Sequence, residues 1–237
     1  MKSTLHKADT RGTANYDWLH THHTFSFANY FDRNRMNFGA LRVLNDDWIA
    51  PAMGFGTHPH DNMEIITIPL SGVVEHKDSM GNSGTISAGE IQVMSAGTGI
   101  YHSEFNGDAS QALTLLQIWI LPNKRNVSSR YDQISLDSLY KKDELYQILS
   151  PNDNDGGVWI HQQAWMMLGD LSQGWEGSYT LKGANTGVYV FVIEGDVMVN
   201  DQVLSARDGL GVWDCESIHI VTTYVTRILI IEVPLKF

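Results

Sequence analysis

The sequence predicts an all-β protein with little helix, built as two β-barrels in one chain. Three observations support this fold class. Short apolar runs separated by glycine recur at a spacing of roughly eight to twelve residues, which is typical of a β-sandwich or barrel. The glycine turns follow a similar order in both halves of the chain. Segments with the apolar spacing of a helix are few.

The strand signals are clearest in the first half. Apolar residues between 73 and 94 stand in short runs that Gly81, Gly84 and Gly89 interrupt. A longer apolar run, Leu113–Ile120, ends just before Pro122, which has no backbone N–H with which to continue a ladder. Both patterns favour strands that are buried on at least one face.

The middle of the chain predicts a connection between two domains. Ser135–Leu149 carries apolar residues at helical spacing, which predicts a short amphipathic helix. Two polar, turn-rich stretches, Asn123–Arg130 and Pro151–Gly157, bracket it. We therefore place the boundary near residue 135, with a first domain at 1–135 and a second at 136–237.

A weak internal repeat relates the two halves. In each half a strand ends at glycine, a tight polar turn follows, and a second glycine opens a new apolar run. The matching segments are Ser71-Gly72, Gly81-Asn82 and Ala88-Gly89-Glu90 in the first half, and Glu194-Gly195-Asp196, Asn200-Asp201 and Arg207-Asp208-Gly209 in the second. This order is consistent with two copies of one barrel.

Composition narrows the class of protein. The 237 residues are 43% apolar and 18% charged, which is typical of a globular chain. A net charge of -11 disfavours direct binding to nucleic acid or to an anionic membrane, although a basic protein partner could still dock. The single cysteine, Cys215, excludes an intrachain disulfide, and Met1–Gly12 lacks the apolar core of a signal peptide. We expect a cytoplasmic protein.

Two pairs of side chains with i, i+2 spacing carry the chemistry. His58 and His60 form an H-x-H pair, and His102 and Glu104 form an H-x-E pair. Alternate residues of a strand point to the same face, so each pair presents two donor groups side by side. If the two strands face each other across a barrel, the four side chains converge on one divalent transition metal, because imidazole and carboxylate suit iron, manganese, nickel, copper or zinc.

The remaining histidines predict no further metal site. His20 and His22 form another H-x-H pair without a carboxylate at matching spacing, and we interpret their segment as edge or loop structure. His76 stands among alternating charges, which predicts a solvated strand. His161 and His219, in the second half, have no H-x-H or H-x-E partner and are interpreted as ordinary surface or core residues.

Several segments resemble the pirin family of bicupins, within the cupin superfamily. The resemblance covers nearly the whole chain and is specific in the first half but weak in the second. The segments that carry it are Thr24-Phe25-Ser26-Phe27-Ala28-Asn29-Tyr30, His58-Pro59-His60, Glu64, and Ala96-Gly97-Thr98-Gly99-Ile100-Tyr101-His102-Ser103-Glu104.

The resemblance implies two stacked cupin barrels of the double-stranded β-helix, or jelly-roll, type. It implies one divalent metal in the first barrel, held by His58, His60, His102 and Glu104, and a second barrel without metal ligands. Iron is the first expectation, with manganese, nickel, copper and zinc as alternatives. Many cupins take their carboxylate from the first motif, so Glu64 stays an alternative ligand or a neighbour of the ligands.

For function, the resemblance implies a quercetin 2,3-dioxygenase type of enzyme, in which Glu104 also serves as the catalytic base and O2 cleaves a flavonol ring. The alternative is a metal- or redox-sensing regulatory protein that acts through a protein partner without turnover. A third candidate is a cupin isomerase or small-molecule binder. A substrate-sized apolar pocket would favour the enzyme, and an aromatic small molecule would then be the principal partner of a monomer. Candidate pocket residues, or alternatively core residues, are Phe25, Phe27, Phe38, Met53 and Phe55.

Overall fold

The computed structural model describes residues 1–236 and is nearly all β, with one short 3-10 helix at Ala8–Thr10. The strands of the first half are β1 (Lys2–His6), β2 (Gly12–Asn15), β3 (Leu19–His23), β4 (Leu41–Ile49), β5 (Gly54–His60), β6 (Glu64–Ser71), β7 (Val73–Asp78), β8 (Ser83–Ser87), β9 (Glu90–Ser95), β10 (Ile100–Asn106), β11 (Leu113–Ile120) and β12 (Arg130–Ser135). Those of the second half are β13 (Leu145–Ser150), β14 (Val158–Trp159), β15 (Trp165–Leu171), β16 (Glu176–Thr180), β17 (Thr186–Glu194), β18 (Asp196–Val199), β19 (Gln202–Ser205), β20 (Gly209–Trp213), β21 (Ser217–Thr222) and β22 (Thr226–Pro234). Within residues 1–236, no helix has the length and apolar character needed to cross a bilayer.

Each barrel consists of one seven-stranded and one four-stranded sheet. In the first barrel the large sheet has the order β12-β9-β6-β11-β4-β3-β2 and the small sheet the order β5-β10-β7-β8. In the second barrel the orders are β1-β20-β17-β22-β15-β13-β14 and β16-β21-β18-β19. The predicted all-β class with two cupin barrels is confirmed.

Burial on both faces explains the longest apolar runs. In β11, Leu116 and Ile118 belong to the core that both barrels share, whereas Leu115 and Gln117 point into the first barrel. Because alternate residues of a strand face opposite sides, a strand between two buried compartments needs few polar positions. The mostly apolar character of Leu113–Ile120 follows from its central position in the large sheet.

The corresponding strand of the second barrel, β22, repeats this arrangement. Leu229 and Ile231 join the shared core, and Ile228 and Ile230 point into the second barrel. The two large sheets therefore pack against each other, and each small sheet covers the opposite face of its large sheet. This arrangement places the interior of each barrel between one large and one small sheet.

The middle of the chain differs from the sequence prediction. The helix expected at Ser135–Leu149 is absent, because β12 ends at Ser135, a turn follows, and β13 begins at Leu145. Leu136 enters the shared core, and β13 pairs with β15 and β14. Long-range pairing overrides the local helical periodicity here, as tertiary context commonly does for short segments.

The chain also crosses between the barrels at its start. Strand β1 pairs in antiparallel register with β20, so Lys2–His6 lies in the large sheet of the second barrel and not with the rest of 1–135. His6 Nδ1 and the hydroxyl of Tyr189, 2.9 Å apart, form a buried hydrogen bond that anchors this strand. The division of the chain near residue 135 stays a prediction.

Candidate metal centre

The two histidine-bearing strands are neighbours in the small sheet of the first barrel. They do not face each other across the barrel, as the sequence suggested, but pair edge to edge. His102 of β10 lies opposite His58 of β5, and Ile100 lies opposite His60. The register then shifts, so that Glu104 lies opposite Phe55. Such a bulge redirects side chains and is common beside functional sites.

Three imidazoles converge at this point. The ring centroids of His58 and His102 are 4.4 Å apart, and His60 lies 4.9 Å from each of them. One nitrogen of each ring lies within 4.8 Å of the corresponding nitrogens of the other two. Small side-chain adjustments would allow all three nitrogens to bind one metal ion. His58 Nδ1 donates a hydrogen bond to the Gly56 carbonyl oxygen at 2.8 Å, which leaves its Nε2 lone pair free for a ligand.

Two of the three histidines, His60 and His102, are held in the neutral form that can bind a metal. Burial, with a smaller contribution from the nearby His58, lowers the pKa of His102 to about 3. Burial also lowers the pKa of His60 to about 4, with contributions from His102 and His58. His102 is 2% exposed, yet neither of its ring nitrogens has a hydrogen-bond partner within residues 1–236. Unpartnered buried nitrogens are costly, and an ion could satisfy them.

Glu104 reaches from the small sheet to the large one. The Thr67 hydroxyl donates to its Oε1 at 3.2 Å, and Gln117 Nε2 donates to its Oε2 at 3.1 Å. Its oxygens lie within 4.8 Å of donor atoms of His76 and His102 and do not join the three-histidine group at that distance. The carboxylate is 5% exposed and forms no salt bridge with any residue of 1–236, so no cationic side chain compensates its charge.

His76 is a residue whose position the sequence analysis mispredicted. It is fully buried, since Val74, His76 and Asp78 point inward while Glu75 and Lys77 point out. The polar residues of β7 therefore lie on both faces of the strand, and its inner face is buried and not solvated.

Inside the barrel, His76 packs between two rings of the site. Its ring centroid lies 5.5 Å from that of His102 and 4.9 Å from that of Tyr131. Its Nε2 is 3.3 Å from Asp78 Oδ2. These contacts place His76 directly behind His102.

Glu64 does not belong to the centre. A turn separates it from His60, and it begins β6, in the other sheet. Its neighbour Ile65 lines the cavity described below, so Glu64 points to the opposite face. Ser95 Oγ donates to its carboxyl at 2.6 Å, and burial raises the pKa of Glu64 to about 7. Glu64 therefore does not take the place among or beside the ligands that the sequence left open for it.

A cavity of about 440 Å³ adjoins the three histidines, within the roughly 300–1,000 Å³ typical of small-molecule sites. Among the candidate pocket residues, Phe27 and Phe55 line it, whereas Phe25 and Phe38 belong to the shared core and Met53 is exposed. The complete lining comprises Trp18, Phe27, Asn45, Asp47, Gly54, Phe55, Gly56, His58, His60, Ile65, His102, Glu104, Gln117 and Trp119.

The large sheet contributes a row of polar side chains that sequence analysis did not identify. Gln117 of β11 lies opposite Thr67 of β6 on one side and Asn45 of β4 on the other. Asn45 lies opposite His23, whose Nδ1 donates to Asn45 Oδ1 at 2.9 Å. The row crosses four strands, so no local spacing could have revealed it. It also shows that the segment containing His23 is an inner strand, between β2 and β4, and not an edge.

As far as residue 236, where the described chain ends, the second barrel has no comparable centre. His219 is exposed, and its Nε2 lies 3.0 Å from Glu176 Oε1, as in an ordinary surface pair. His161 belongs to none of the histidine and carboxylate groups found in the described chain, residues 1–236. The only two such groups both lie in the first barrel and share His102.

The fold and the site define a two-barrel cupin protein with one candidate metal centre. Residues 5–120 match the family described as Pirin, and residues 147–233 match the one described as Quercetinase C-terminal cupin domain. The chain is 45% identical over 234 residues to a quercetin 2,3-dioxygenase of Escherichia coli strain K12, a match covering 97% of this chain and 98% of that protein. The chain therefore belongs to the pirin family.

Solved structures agree with this assignment. The crystal structure of YhhW from Escherichia coli superposes with a TM-score of 0.94 at 42% identity, over 100% of both chains. The structure of the bacterial pirin YhhW in complex with nickel(II), also from Escherichia coli, superposes with a TM-score of 0.93 at 42% identity, over 98% of this chain and 99% of that one. The two-barrel fold is thus shared along the whole chain.

Proposed function

We propose that this chain is a metal-dependent dioxygenase that cleaves the ring of a flavonol-like aromatic substrate with O2. The observation that carries the proposal is the cavity, which has Trp18, Phe27, Phe55 and Trp119 in its walls and adjoins three convergent histidines. A regulatory protein would need no substrate-sized space beside its metal. The quercetin 2,3-dioxygenase of Escherichia coli, at 45% identity, supports the same reaction class.

We assign His58, His60, His102 and Glu104 as the ligands of one divalent metal. The donor set fits, because among residues 1–236 the buried ring nitrogens of His102 have no hydrogen-bond partner and the Glu104 carboxylate has no salt-bridge partner. The nickel(II) complex of the Escherichia coli pirin supports a divalent ion. Iron is our first proposal, with manganese, nickel, copper and zinc as alternatives, since this donor set accepts all of them. When bound, the metal would supply Lewis acidity and a route for electrons to O2.

The protein side chains have three tasks in this proposal. Phe27, Phe55 and Trp119 form walls that stack on a planar ligand and exclude water. Thr67 and Gln117 fix the Glu104 carboxylate through one hydrogen bond to each oxygen. That carboxylate then accepts the proton of the substrate hydroxyl that faces the histidines, which makes Glu104 the catalytic base.

The setting of the enzyme is part of the proposal. We propose a monomer in the cytoplasm, because the shared core already joins two barrels within one chain and the single Cys215 requires no oxidising compartment. The net charge of -11 favours a small aromatic molecule over nucleic acid as the partner.

Oxygen uptake tests the function directly. Protein reconstituted separately with each candidate metal is mixed with quercetin, beside the His58→Ala, His60→Ala double variant and the His219→Ala control. Metal-dependent uptake that the double variant loses and the control keeps is the expected result. Metal binding without uptake for any metal would overturn the dioxygenase and favour the regulatory alternative.

A further inference from the structure

The cavity has one polar wall apart from the metal centre, and it is formed by β4. Asn45 and Asp47 are two residues apart on this strand, so both point into the first barrel, and both line the cavity. The neighbouring walls are aromatic: Phe27 contacts Trp119 edge to face with ring centroids 5.3 Å apart, and Trp18 contacts Phe55 likewise at 5.4 Å. Polar groups placed in such a wall fix the orientation of a ligand.

One oxygen of Asp47 is left unsatisfied by the protein, while the Thr21 side chain, opposite Asp47 on β3, lies in position to donate to the carboxyl group. Its side chain is buried, with 5% of the residue exposed, and its Oδ1 has no hydrogen-bond partner within residues 1–236. No salt bridge involves it in that range either. An orphaned buried carboxyl oxygen destabilises the folded protein, so its presence beside a cavity points to a partner that arrives with a ligand.

Asn45 has a free group as well. Its Oδ1 accepts the hydrogen bond from His23, while its Nδ2 amide has no acceptor among residues 1–236. Trp119 Nε1, on the aromatic wall, is also without a partner. The wall of the cavity therefore contains a carboxyl oxygen without a donor and two N–H groups without an acceptor among residues 1–236.

We infer that Asp47 and Asn45 form a substrate-binding subsite that takes a phenolic hydroxyl remote from the hydroxyl facing the histidines. The inference rests on the proposed function for the orientation of the substrate. Register places the subsite away from the metal centre: Asn45 lies opposite Gln117, the partner of Glu104, and Asp47 is two residues further along β4. The Cα atoms of Asp47 and Gln117 are thus roughly 8 Å apart, a separation that a three-ring flavonol can span.

The chemistry of Asp47 suits a phenol in either protonation state. Burial raises the pKa of Asp47 to about 7 against the opposing effect of a hydrogen bond from the Thr21 side chain, and the charges of Asp46 and Glu104 add smaller contributions. As a carboxylate it accepts from the phenolic O–H, and as a carboxylic acid it donates to the phenolic oxygen. Recognition of a polar substituent by a buried polar group discriminates strongly against analogues that lack it.

Calorimetric binding tests this subsite. Quercetin and 3-hydroxyflavone are titrated under anaerobic conditions into protein loaded with zinc, so that no turnover occurs. The second molecule keeps the 3-hydroxyl and lacks every other hydroxyl. Asp47→Leu is expected to weaken quercetin binding by about tenfold or more and 3-hydroxyflavone binding by less than about threefold. Asp47→Asn, which keeps a polar side chain, is expected to lie between wild type and Asp47→Leu. Asp201→Asn, in the β18–β19 turn of the second barrel, is the control.

The outcomes separate the inference from the proposed function. Equal weakening of both ligands in both Asp47 variants would overturn the subsite, and thermal unfolding of each variant shows whether that loss reflects misfolding. A hydroxyl-dependent difference without oxygen uptake by wild type would overturn the dioxygenase and keep the subsite. Oxygen uptake by wild type without a hydroxyl-dependent difference would overturn the subsite and keep the dioxygenase. Absence of quercetin binding by wild type would overturn both the subsite and the dioxygenase.

Discussion

Strand for strand, the small sheet β5-β10-β7-β8 of the first barrel corresponds to β16-β21-β18-β19 of the second. Their interiors differ completely. In β21 the inward positions hold Ile218 and Ile220, whereas in β10 they hold His102 and Glu104. The second barrel is filled by one apolar cluster, while the first has two smaller apolar clusters with the cavity and the histidines between them.

Both barrels contain buried carboxylates, and a comparison of Glu232 with Glu104 shows how their surroundings differ. Glu232 is satisfied by the fold itself: the Tyr179 hydroxyl donates at 2.7 Å, Thr186 Oγ1 at 2.6 Å and the Gly183 amide at 2.7 Å, with the Lys182 amide in addition. Glu104 has only one neutral donor on each oxygen, beside ring nitrogens that lack partners. The same architecture thus uses one carboxylate to hold a loop and leaves the other available to a metal.

The largest expected effect is on metal content. The His58→Ala, His60→Ala double variant is expected to fall from about one ion per chain to near zero, because two of four ligands are removed. His219→Ala, on the matching sheet of the second barrel, is expected to retain the ion. Metal analysis after dialysis measures both, and equal retention in all three proteins would contradict the assignment of the site to the first barrel.

Core truncation compares the packing of the two interiors. Ile220→Ala, in the filled second barrel, is expected to lower the free energy of unfolding by roughly 3–5 kcal/mol, because it creates a new cavity. Ile65→Ala, which enlarges an existing cavity in the first, is expected to cost about 2 kcal/mol. Denaturant unfolding of the metal-free protein provides the values. Losses of equal size would mean that the first barrel is as tightly packed around Ile65.

The third expected effect concerns Glu64 and pH. Its pKa, raised to about 7 in the folded state from 4.5, means that the folded protein binds the proton more tightly than the unfolded chain. The proton on Glu64 therefore stabilises the folded protein, and this stabilisation is fully present below about pH 4.5. It amounts to at most about 3 kcal/mol and is lost as pH rises to about 7.

Glu64→Gln should abolish that loss. The difference in unfolding free energy between wild type and Glu64→Gln is therefore expected to grow between pH 5 and about 7, which denaturant unfolding at several pH values would reveal. Glu75→Gln, an exposed change on β7, is the control, and its difference from wild type should stay constant. A constant difference for Glu64→Gln as well would show that Glu64 is already ionised in the folded protein.

The smallest expected effect comes from the support of Glu104. Thr67→Val removes the hydroxyl that donates to Oε1 while keeping the side-chain shape, and we expect about a tenfold loss in metal affinity. Thr85→Val, on the exposed side of β8, is expected to leave the affinity unchanged. Competition with a chelator of known affinity measures both. An unaltered affinity in Thr67→Val would mean that Gln117 alone positions the carboxylate.

Much of the fold was predictable because it is encoded locally. The apolar run Leu113–Ile120 and the glycine turns identified the strands and the two-barrel class. The helix expected at Ser135–Leu149 failed because pairing of β13 with distant strands outweighs a weak local preference. The pairing of β1 with β20, more than 200 residues away, carries no local signal at all.

By itself the sequence determined which side chains share a face, because i, i+2 spacing in a strand fixes that relation. His58 with His60, and His102 with Glu104, followed from spacing alone. Only the tertiary structure decided which other groups meet them: His76 behind His102, and Asp47 on the opposite sheet. Strand register and the packing of one sheet over another set these encounters, and both depend on contacts between residues far apart in the chain.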